Sequence, residues 1–187
     1  IELPKSLEYL EFGKYFNCPL KLSDNITELI LSDNYNHILI LNKSLKKLKL
    51  NYYFNELIDI VDSELTSLHF SYYFNQPIKL NDSLKYLKFK SRFNKSIKLT
   101  KSLTHFDSGD SFNHMIKLNK LLKCLRLGNE FNKTIKFNSE LKSLELGDSF
   151  NQLLELPESL EYLTLGNSFT QSINLPNIKS LKLNIPN

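Results

Sequence analysis

The stretch ELKSLELGDSFNQLLELPESLEYLTLGNSFTQSINLP, residues 140–176, contains one pattern twice. The first copy has its apolar residues, its Gly and its Asn at Leu141, Leu144, Leu146, Gly147, Phe150, Asn151, Leu154 and Leu156. The second copy follows 19 residues later, at Leu160, Leu163, Leu165, Gly166, Phe169, Thr170, Ile173 and Leu175. The chain therefore reuses one structural unit of 19 residues.

An aromatic residue followed by Asn marks the same unit along the whole chain. The pairs are Phe16-Asn17, Tyr35-Asn36, Phe54-Asn55, Phe74-Asn75, Phe93-Asn94, Phe112-Asn113, Phe131-Asn132 and Phe150-Asn151, and Phe169-Thr170 ends the series. Successive pairs are 19 residues apart, except for one spacing of 20 caused by an extra residue between Ile60 and Leu65. A fixed period near 20 residues is typical of a solenoid, in which each unit buries its apolar face against its neighbours.

The local pattern within each unit predicts extended chain. Apolar residues alternate at Leu144 and Leu146, and again at Leu154 and Leu156, as in half-buried strands. The gaps between these segments are seven and three residues, which is too short for an ordinary helix. The sequence thus predicts a single domain over residues 1–187, a mostly β, leucine-rich-repeat-like parallel solenoid of about ten 19-residue coils with little or no α-helix.

Two recurring residues are expected to shape the corners of each coil. A Gly follows the first strand at positions 13, 109, 128, 147 and 166, and suits a backbone with positive φ. The Asn of each aromatic-Asn pair is expected to be a buried amide that binds backbone groups of the corner. The aromatic residue before it is expected to belong to the core. An Asn ladder that binds a ligand is the alternative, and we prefer the structural interpretation.

The motifs SLEYLEFGKYFNCPLKL (6–22) and LPESLEYLTLGNSFTQSINLP (156–176) resemble the FNIP repeats of social amoebae and of giant viruses that infect amoebae. The resemblance covers essentially the whole chain, with a period of 19 in place of the usual 22, Ser108 in place of an inward Leu or Phe, and Thr170 in place of Asn. It implies a leucine-rich-repeat-like solenoid that binds proteins and is not an enzyme. In viruses such repeats often follow an F-box that recruits a ubiquitin ligase. No F-box is present here, and one would precede Ile1.

Length and composition indicate the cellular compartment in which we expect the protein. The chain has 187 residues and opens in the middle of the pattern, without Met, which suggests a fragment of a longer chain. It lacks an apolar run long enough to span a membrane. Its two cysteines, Cys18 and Cys124, lie five coils apart, so no disulfide is expected and a reducing compartment is indicated. We expect a cytoplasmic protein, in the host cytoplasm if it is viral.

The outward residues of the first strand are the candidate partner-binding surface, because in leucine-rich repeats this sheet usually contacts the partner. These positions differ from coil to coil, whereas the inward positions hardly vary. The predicted contact residues are Tyr86, Lys88, His105, Asp107, Arg126 and Tyr162. Tyr and Arg are frequent anchors of interfaces. The alternative is an ordinary solvated sheet face without a partner.

Charge is concentrated in the middle of the chain. The balance of basic over acidic residues is −3 for residues 1–78, +10 for 79–136 and −3 for 137–187. One lysine per coil occupies the same outward position after the Phe-Asn pair, at Lys79, Lys98, Lys117 and Lys136. This row could bind a polyanion such as nucleic acid or an acidic protein. Lysines also protect exposed β-structure against aggregation, and we prefer that role because no aromatic residues alternate with the row.

Three residues have the types needed for catalysis or for binding a metal. His105 and Cys124 are expected side by side on adjacent strands, and Asp107 lies two residues after His105. An open sheet face offers no water-excluding pocket and no oxyanion donors. We therefore predict no catalytic residues, no metal and no cofactor.

Overall fold

The computed structural model describes residues 3–184, and these form one parallel sheet of ten short strands. The strands are β1 Tyr9–Glu11, β2 Glu28–Ile30, β3 Lys47–Lys49, β4 Ser67–His69, β5 Tyr86–Lys88, β6 His105–Asp107, β7 Cys124–Leu127, β8 Ser143–Leu146, β9 Tyr162–Leu165 and β10 Ser180–Leu183. Each strand pairs with the next one in the chain. We number the coils by the strand that begins them. No helix occurs between residues 3 and 184, which confirms the predicted fold class.

The register of the sheet follows the repeat. Leu10 pairs with Leu29, and the same inward column continues through every strand to Leu181. A shift of one residue would turn each buried Leu outward, so the apolar period fixes the pairing. The extra residue of coil 3 lies after β3, in the loop, and leaves the register intact.

A column of stacked aromatic rings fills the core behind the sheet, as predicted. It runs through Phe16, Tyr35, Phe54, Phe74, Phe93, Phe112, Phe131, Phe150 and Phe169, with neighbouring ring centroids 6.0–6.4 Å apart. Closer to the sheet the same coils lie nearer together. The rings of Phe70 and Phe89, directly after β4 and β5, are 4.7 Å apart, whereas those of Phe74 and Phe93 are 6.2 Å apart.

The predicted second strand of each coil is absent from the described residues. The residues after each Phe-Asn pair, which we call the return segment, alternate between partly buried and exposed, as in Ile78, Lys79 and Leu80, but they form no ladder. The spacing of the aromatic rings explains this absence. Parallel strands need to lie about 4.8 Å apart to form hydrogen bonds, and beyond the sheet the coils are about 6 Å apart.

The Asn of the Phe-Asn pair ties successive coils together. Its side-chain oxygen accepts a hydrogen bond from the backbone N–H of the equivalent residue in the next coil, at 2.8–3.3 Å in eight steps from Asn17 to Thr170. The predicted hydrogen bonding is therefore confirmed. The predicted burial is wrong, because these Asn side chains are partly or fully exposed at the corner.

A second set of Asn residues, which the sequence analysis missed, binds the other corner. Asn119 Nδ2 donates to the carbonyl oxygens of Thr100 at 2.6 Å and Leu103 at 2.9 Å. Asn42, Asn81 and Asn138 make the equivalent pair of hydrogen bonds in their own coils. The recurring Leu-Asn or Phe-Asn step after the return segment was the available sequence signal.

Most corner glycines allow neighbouring coils to approach closely and do not adopt an unusual backbone conformation. Only Gly109 has positive φ, at 73°, so that expectation is wrong for Gly13, Gly128, Gly147 and Gly166. A Cβ on Gly147 would lie 2.5 Å from the carbonyl carbon and oxygen of Gly128 in the preceding coil. From coil 7 to coil 9 the glycine is needed because the backbones of neighbouring coils touch there.

Ser108 departs from the repeat, and Phe106 compensates for it. Ser108 is fully buried where other coils have Leu or Phe, and its hydroxyl donates to the Gly109 carbonyl at 3.0 Å. In the strand just before it, β6, Phe106 replaces the usual Leu, and its ring meets Phe89 and Phe112 edge to face at 6.4 Å. The larger residue fills space that the smaller one leaves.

Candidate functional site

The outward face of β4–β8 contains a shallow groove of about 250 Å³. Because side chains alternate along a strand, the outward columns of the sheet bring together residues that are 19 or 20 positions apart in the chain. Five of the six predicted contact residues line this groove, namely Tyr86, Lys88, His105, Asp107 and Arg126. Tyr162 lies on β9 outside it, next to Ser143 and Ser180 of the adjacent strands.

Aromatic residues form one wall of the groove. The rings of Tyr86 and His105 stack at 4.4 Å between their centroids, and Tyr86 remains 45 % exposed. His105 Nδ1 lies 2.9 Å from the hydroxyl oxygen of Thr104. Burial and the charge of Lys123 lower the pKa of His105 below its ordinary value, which favours the neutral form of the ring. A neutral ring beside an exposed tyrosine gives this wall an amphipathic character.

Arg126 forms the other wall and is held by three carboxylates. Its Nη1 lies 3.1 Å from Asp107, its Nη2 3.0 Å from Asp110 and its Nε 2.9 Å from Glu145. Burial acts to lower the pKa of Arg126, but the charge of Asp107 and the carboxylate hydrogen bonds raise it above its ordinary value. The guanidinium is thus permanently charged and fixed in orientation before any partner arrives.

The network continues across the groove through Asp107. Its carboxylate also lies 3.0 Å from Lys88 Nζ and accepts a hydrogen bond from the Gly109 N–H at 3.0 Å. Lys88, Asp107 and Arg126 are therefore one connected unit across β5, β6 and β7. Asp110 and Glu145 were not among the predicted contact residues. Glu145 could have been found, because it follows Arg126 in the outward column of the register, whereas Asp110 lies in the turn after β6 and shows no such periodicity.

We expect Arg126→Gln to lower the free energy of unfolding by about 1–2 kcal/mol, because it removes the cation shared by three carboxylates, of which only Asp107 keeps a second cation, Lys88. The loss should shrink at high salt, since these groups are only partly buried. The measurement is urea unfolding at low and at 1 M salt. Lys49→Gln is the matched control: Lys49 occupies the same column, is exposed and has no ion pair among residues 3–184, so it should change stability by less than about 0.5 kcal/mol. Equal effects of both changes would contradict the network.

Cys124, His105 and Asp107 do not form a catalytic arrangement. Cys124 pairs with His105 in the register, yet the Asp107 carboxylate serves Lys88, Arg126 and Gly109. Burial raises the pKa of the Cys124 thiol against the opposing charge of Lys123, whereas a nucleophilic Cys needs a lowered pKa. His69 also lines the groove, and burial and the charges of Lys88 and Lys49 lower its pKa. Within the described part of the chain, no group of three His, Cys, Asp or Glu residues could hold a metal ion.

The predicted lysine row lies on the return segments. Lys79, Lys98, Lys117 and Lys136 are all exposed, and none forms an ion pair in the range 3–184. The spacing of about 4.8 Å between paired strands does not apply to them, because the return segments are not strands. The aromatic column of the same coils indicates a spacing near 6 Å instead. Cys18 and Cys124 are both free, as expected from their separation.

Comparison with known proteins identifies FNIP repeats in two parts of the chain. The family model for the FNIP repeat matches residues 1–22, 131–168 and 150–185. No curated protein matches the chain. The chain is similar to the crystal structure of CroV588, a giant-virus protein described as a novel circular LRR protein, with 33 % sequence identity and a TM-score of 0.74. The match covers 96 % of this chain and 34 % of CroV588, so this chain spans about a third of that protein.

The repeat and the fold are those of a protein-interaction module, and leucine-rich-repeat-like folds are typically non-enzymatic scaffolds. The described residues contain no helix that could cross a membrane. The period of 19 residues, the parallel sheet, the family match at residues 1–22 and 131–185 and the similarity to CroV588 agree: the chain carries FNIP repeats and has a leucine-rich-repeat-like fold.

Proposed function

We propose that this chain recognises a protein partner through the outward face of β5–β9. The observation that carries the proposal is the groove in which an exposed tyrosine, Tyr86, faces an arginine, Arg126, held rigid by three carboxylates. Tyrosine and arginine are enriched among the residues that dominate binding energy. A side chain that is already fixed loses little entropy when the partner binds.

Tyr162 extends the proposed contact surface beyond the groove. It is 47 % exposed on β9 and is flanked in its column by Ser143 and Ser180. A small residue on either side leaves the tyrosine ring raised above the sheet. A partner that covers Tyr86, Arg126 and Tyr162 would span five strands, or about 20 Å, which is a reasonable width for a standard interface.

The test uses Tyr86→Ser combined with Tyr162→Ser. Serine already occupies this column at Ser67, Ser143 and Ser180, so the sheet should fold unchanged. We expect at least tenfold weaker capture of a discrete, nuclease-resistant partner from amoeba lysate at physiological salt. Tyr15→Ser is the control, because Tyr15 is also an exposed tyrosine, more so than Tyr86 and Tyr162, but lies outside the sheet. Capture that survives the double change, or that is lost equally in the control, would refute the strand-face site.

We further propose a role for this chain within a longer protein. The resemblance to viral FNIP proteins supports a role as the substrate-recognition part of an F-box-type ubiquitin ligase adaptor, acting in the host cytoplasm. The captured partner should then gain ubiquitin when the full-length protein is expressed in host cells. The Tyr86→Ser/Tyr162→Ser variant should abolish that modification. Unchanged ubiquitination of a confirmed partner would exclude the adaptor role while leaving the binding surface intact.

The lysine row supports a second candidate function, the binding of an anionic partner. Four exposed lysines without carboxylate partners in the described residues form a positive strip along coils 4–7. Such binding should weaken steeply between low and physiological salt, whereas a packed protein interface should respond little.

A further inference from the structure

The return segments of coils 2 and 3 expose a group of large aliphatic residues, which we call the aliphatic patch. It consists of Ile38, Ile40, Leu57 and Val61, of which Ile38, Ile40 and Leu57 are 72 %, 79 % and 64 % exposed. Large aliphatic residues grouped on a surface indicate an interaction site more often than single ones do. Val61 belongs to the segment that carries the one extra residue of the chain, so the irregular coil adds to this patch.

The position of Ile40 within the repeat makes its exposure informative. The equivalent position in coils 4–7 is Lys79, Lys98, Lys117 and Lys136, and the fold therefore accepts a charged residue there. In coils 8 and 9 it is Glu155 and Asn174. Nothing in the core requires isoleucine at a position that is 79 % exposed.

The aliphatic patch and the lysine row belong to one continuous surface. A depression of about 790 Å³ is lined by Ile38, Ile40, Leu57 and Val61 and reaches Lys79. A second depression of about 300 Å³ shares Ile78 and Lys79 with the first and continues to Lys98. The combined groove is therefore aliphatic at coils 2 and 3 and carries lysines at coils 4 and 5, with Asp82 beside them, and the row of exposed lysines continues from its end to coil 7.

The charges around the groove favour a peptide over a nucleic acid. Asp59 and Asp62 line the aliphatic end, where they would repel a phosphate backbone, and the aliphatic side chains offer no ring on which a base could stack. Glu155 ends the lysine row at coil 8. The basic part is limited to four coils, which suits a short acidic segment and not a long polyanion.

The repeat distance also fits an extended peptide. Coils 4–7 are 6.2 Å apart at the aromatic column, and alternate residues of an extended chain are separated by about 6.5 Å. Carboxylates at every second position of a peptide can thus reach one lysine in each coil. Aliphatic residues at one end of the same peptide would cover Ile40 and Leu57.

We propose that this groove binds an extended acidic polypeptide segment that carries aliphatic anchors at one end. The proposal rests on the second candidate function above and names its partner class. It is independent of the strand-face site, because the return segments lie on the opposite side of each coil from the sheet.

The test measures fluorescence anisotropy of labelled synthetic peptides with the whole chain. The probe has two leucines followed by five aspartates at alternate positions with serines between them, made in both chain directions. A second peptide replaces the leucines with serine. A third probe is a single-stranded oligonucleotide of equal charge. We expect the leucine-containing peptide to bind in one direction about tenfold or more tightly than the peptide without leucine, from the buried aliphatic surface.

The variants use residues that the chain itself places at these positions. Ile40→Asn combined with Leu57→Thr copies Asn174 and Thr134, and Lys98→Glu combined with Lys117→Glu copies Glu155, so unchanged thermal unfolding should show that both variants fold. We expect the first variant to remove the advantage of the leucines and the second to abolish peptide binding. A peptide affinity that Lys98→Glu/Lys117→Glu leaves unchanged would overturn the anion-binding function itself.

Two further results would overturn the inference while leaving anion binding in place. One is equal affinity for the peptides with and without leucine, or an affinity that Ile40→Asn/Leu57→Thr leaves unchanged. Either result would refute a role for the aliphatic patch. The other is tighter binding of the oligonucleotide than of either peptide, lost only in the lysine variant, which would assign the row to nucleic acid. Absence of binding by every probe would refute the site.

Discussion

Phe112→Ala should lower the free energy of unfolding by about 3–5 kcal/mol. The Phe112 ring is fully buried, lies 6.2 Å from the rings of both Phe93 and Phe131, and meets Phe106 edge to face. Its loss leaves a cavity that two coils share. Because each coil of a solenoid contacts only its neighbours, a defect at coil 6 weakens both interfaces at once. Urea unfolding followed by circular dichroism measures the change.

Met115→Ala is the matched control for that experiment. Met115 lies three residues after Phe112 in the same coil but is 75 % exposed, so its truncation should cost less than about 0.5 kcal/mol. A loss below about 1 kcal/mol for Phe112→Ala would mean that the aromatic column is not the main support of the core. The midpoint alone would not decide this, because loss of cooperativity also changes the slope of the transition.

Gly147→Ala should cost about 3 kcal/mol, which is a large effect for one methyl group. The new Cβ would lie 2.5 Å from the Gly128 carbonyl and 2.6 Å from the Asn129 Cα, so the backbones of coils 7 and 8 would have to separate. Neither neighbour is the end of a flexible side chain that could move aside. The result should appear as a lower midpoint of thermal or urea unfolding.

Gly13→Ala tests whether the cost comes from the contact and not from the loss of glycine. A Cβ at Gly13 would have no atom within 4 Å, and the backbone there does not have positive φ. The substitution should stabilise the chain by about 0.4–1 kcal/mol, because alanine restricts the unfolded chain. Two alanine variants of equal stability would show that close approach of the coils does not limit the residue at this corner.

The sequence was sufficient to predict the sheet because one period governs every inward column. The spacing of the Phe-Asn pairs predicted that His105 and Cys124 lie side by side on adjacent strands, and the register confirms this pairing. The aromatic column and the hydrogen bonds of Asn17–Asn151 followed from the same regularity. A residue repeated at each coil must find the same surroundings at each coil.

The errors share a cause, which is that periodicity does not report the distance between coils. Leu154 and Leu156 alternate like a strand, but the coils are too far apart on that side for a ladder. Gly147 was interpreted as a residue with positive φ, whereas it allows two backbones to touch. The contact of Arg126 with Asp110 depends on the path of a turn, and the aliphatic patch depends on Ile40, at a position that is polar in the other coils, and on Val61, in the irregular segment of coil 3.

The unequal ring distances have a consequence for the shape of longer arrays. Between coils 4 and 5 the separation is 4.7 Å at Phe70 and Phe89 but 6.2 Å at Phe74 and Phe93, so each coil is a wedge with its thin edge at the sheet. Wedges stacked in one orientation form an arc with the sheet on its inner side. The angle adds with every coil, and an array of sufficient length would meet its own beginning. CroV588, which this chain covers to 34 %, is described as circular. In such a ring the first and last strands could pair, and no sheet edge would remain open.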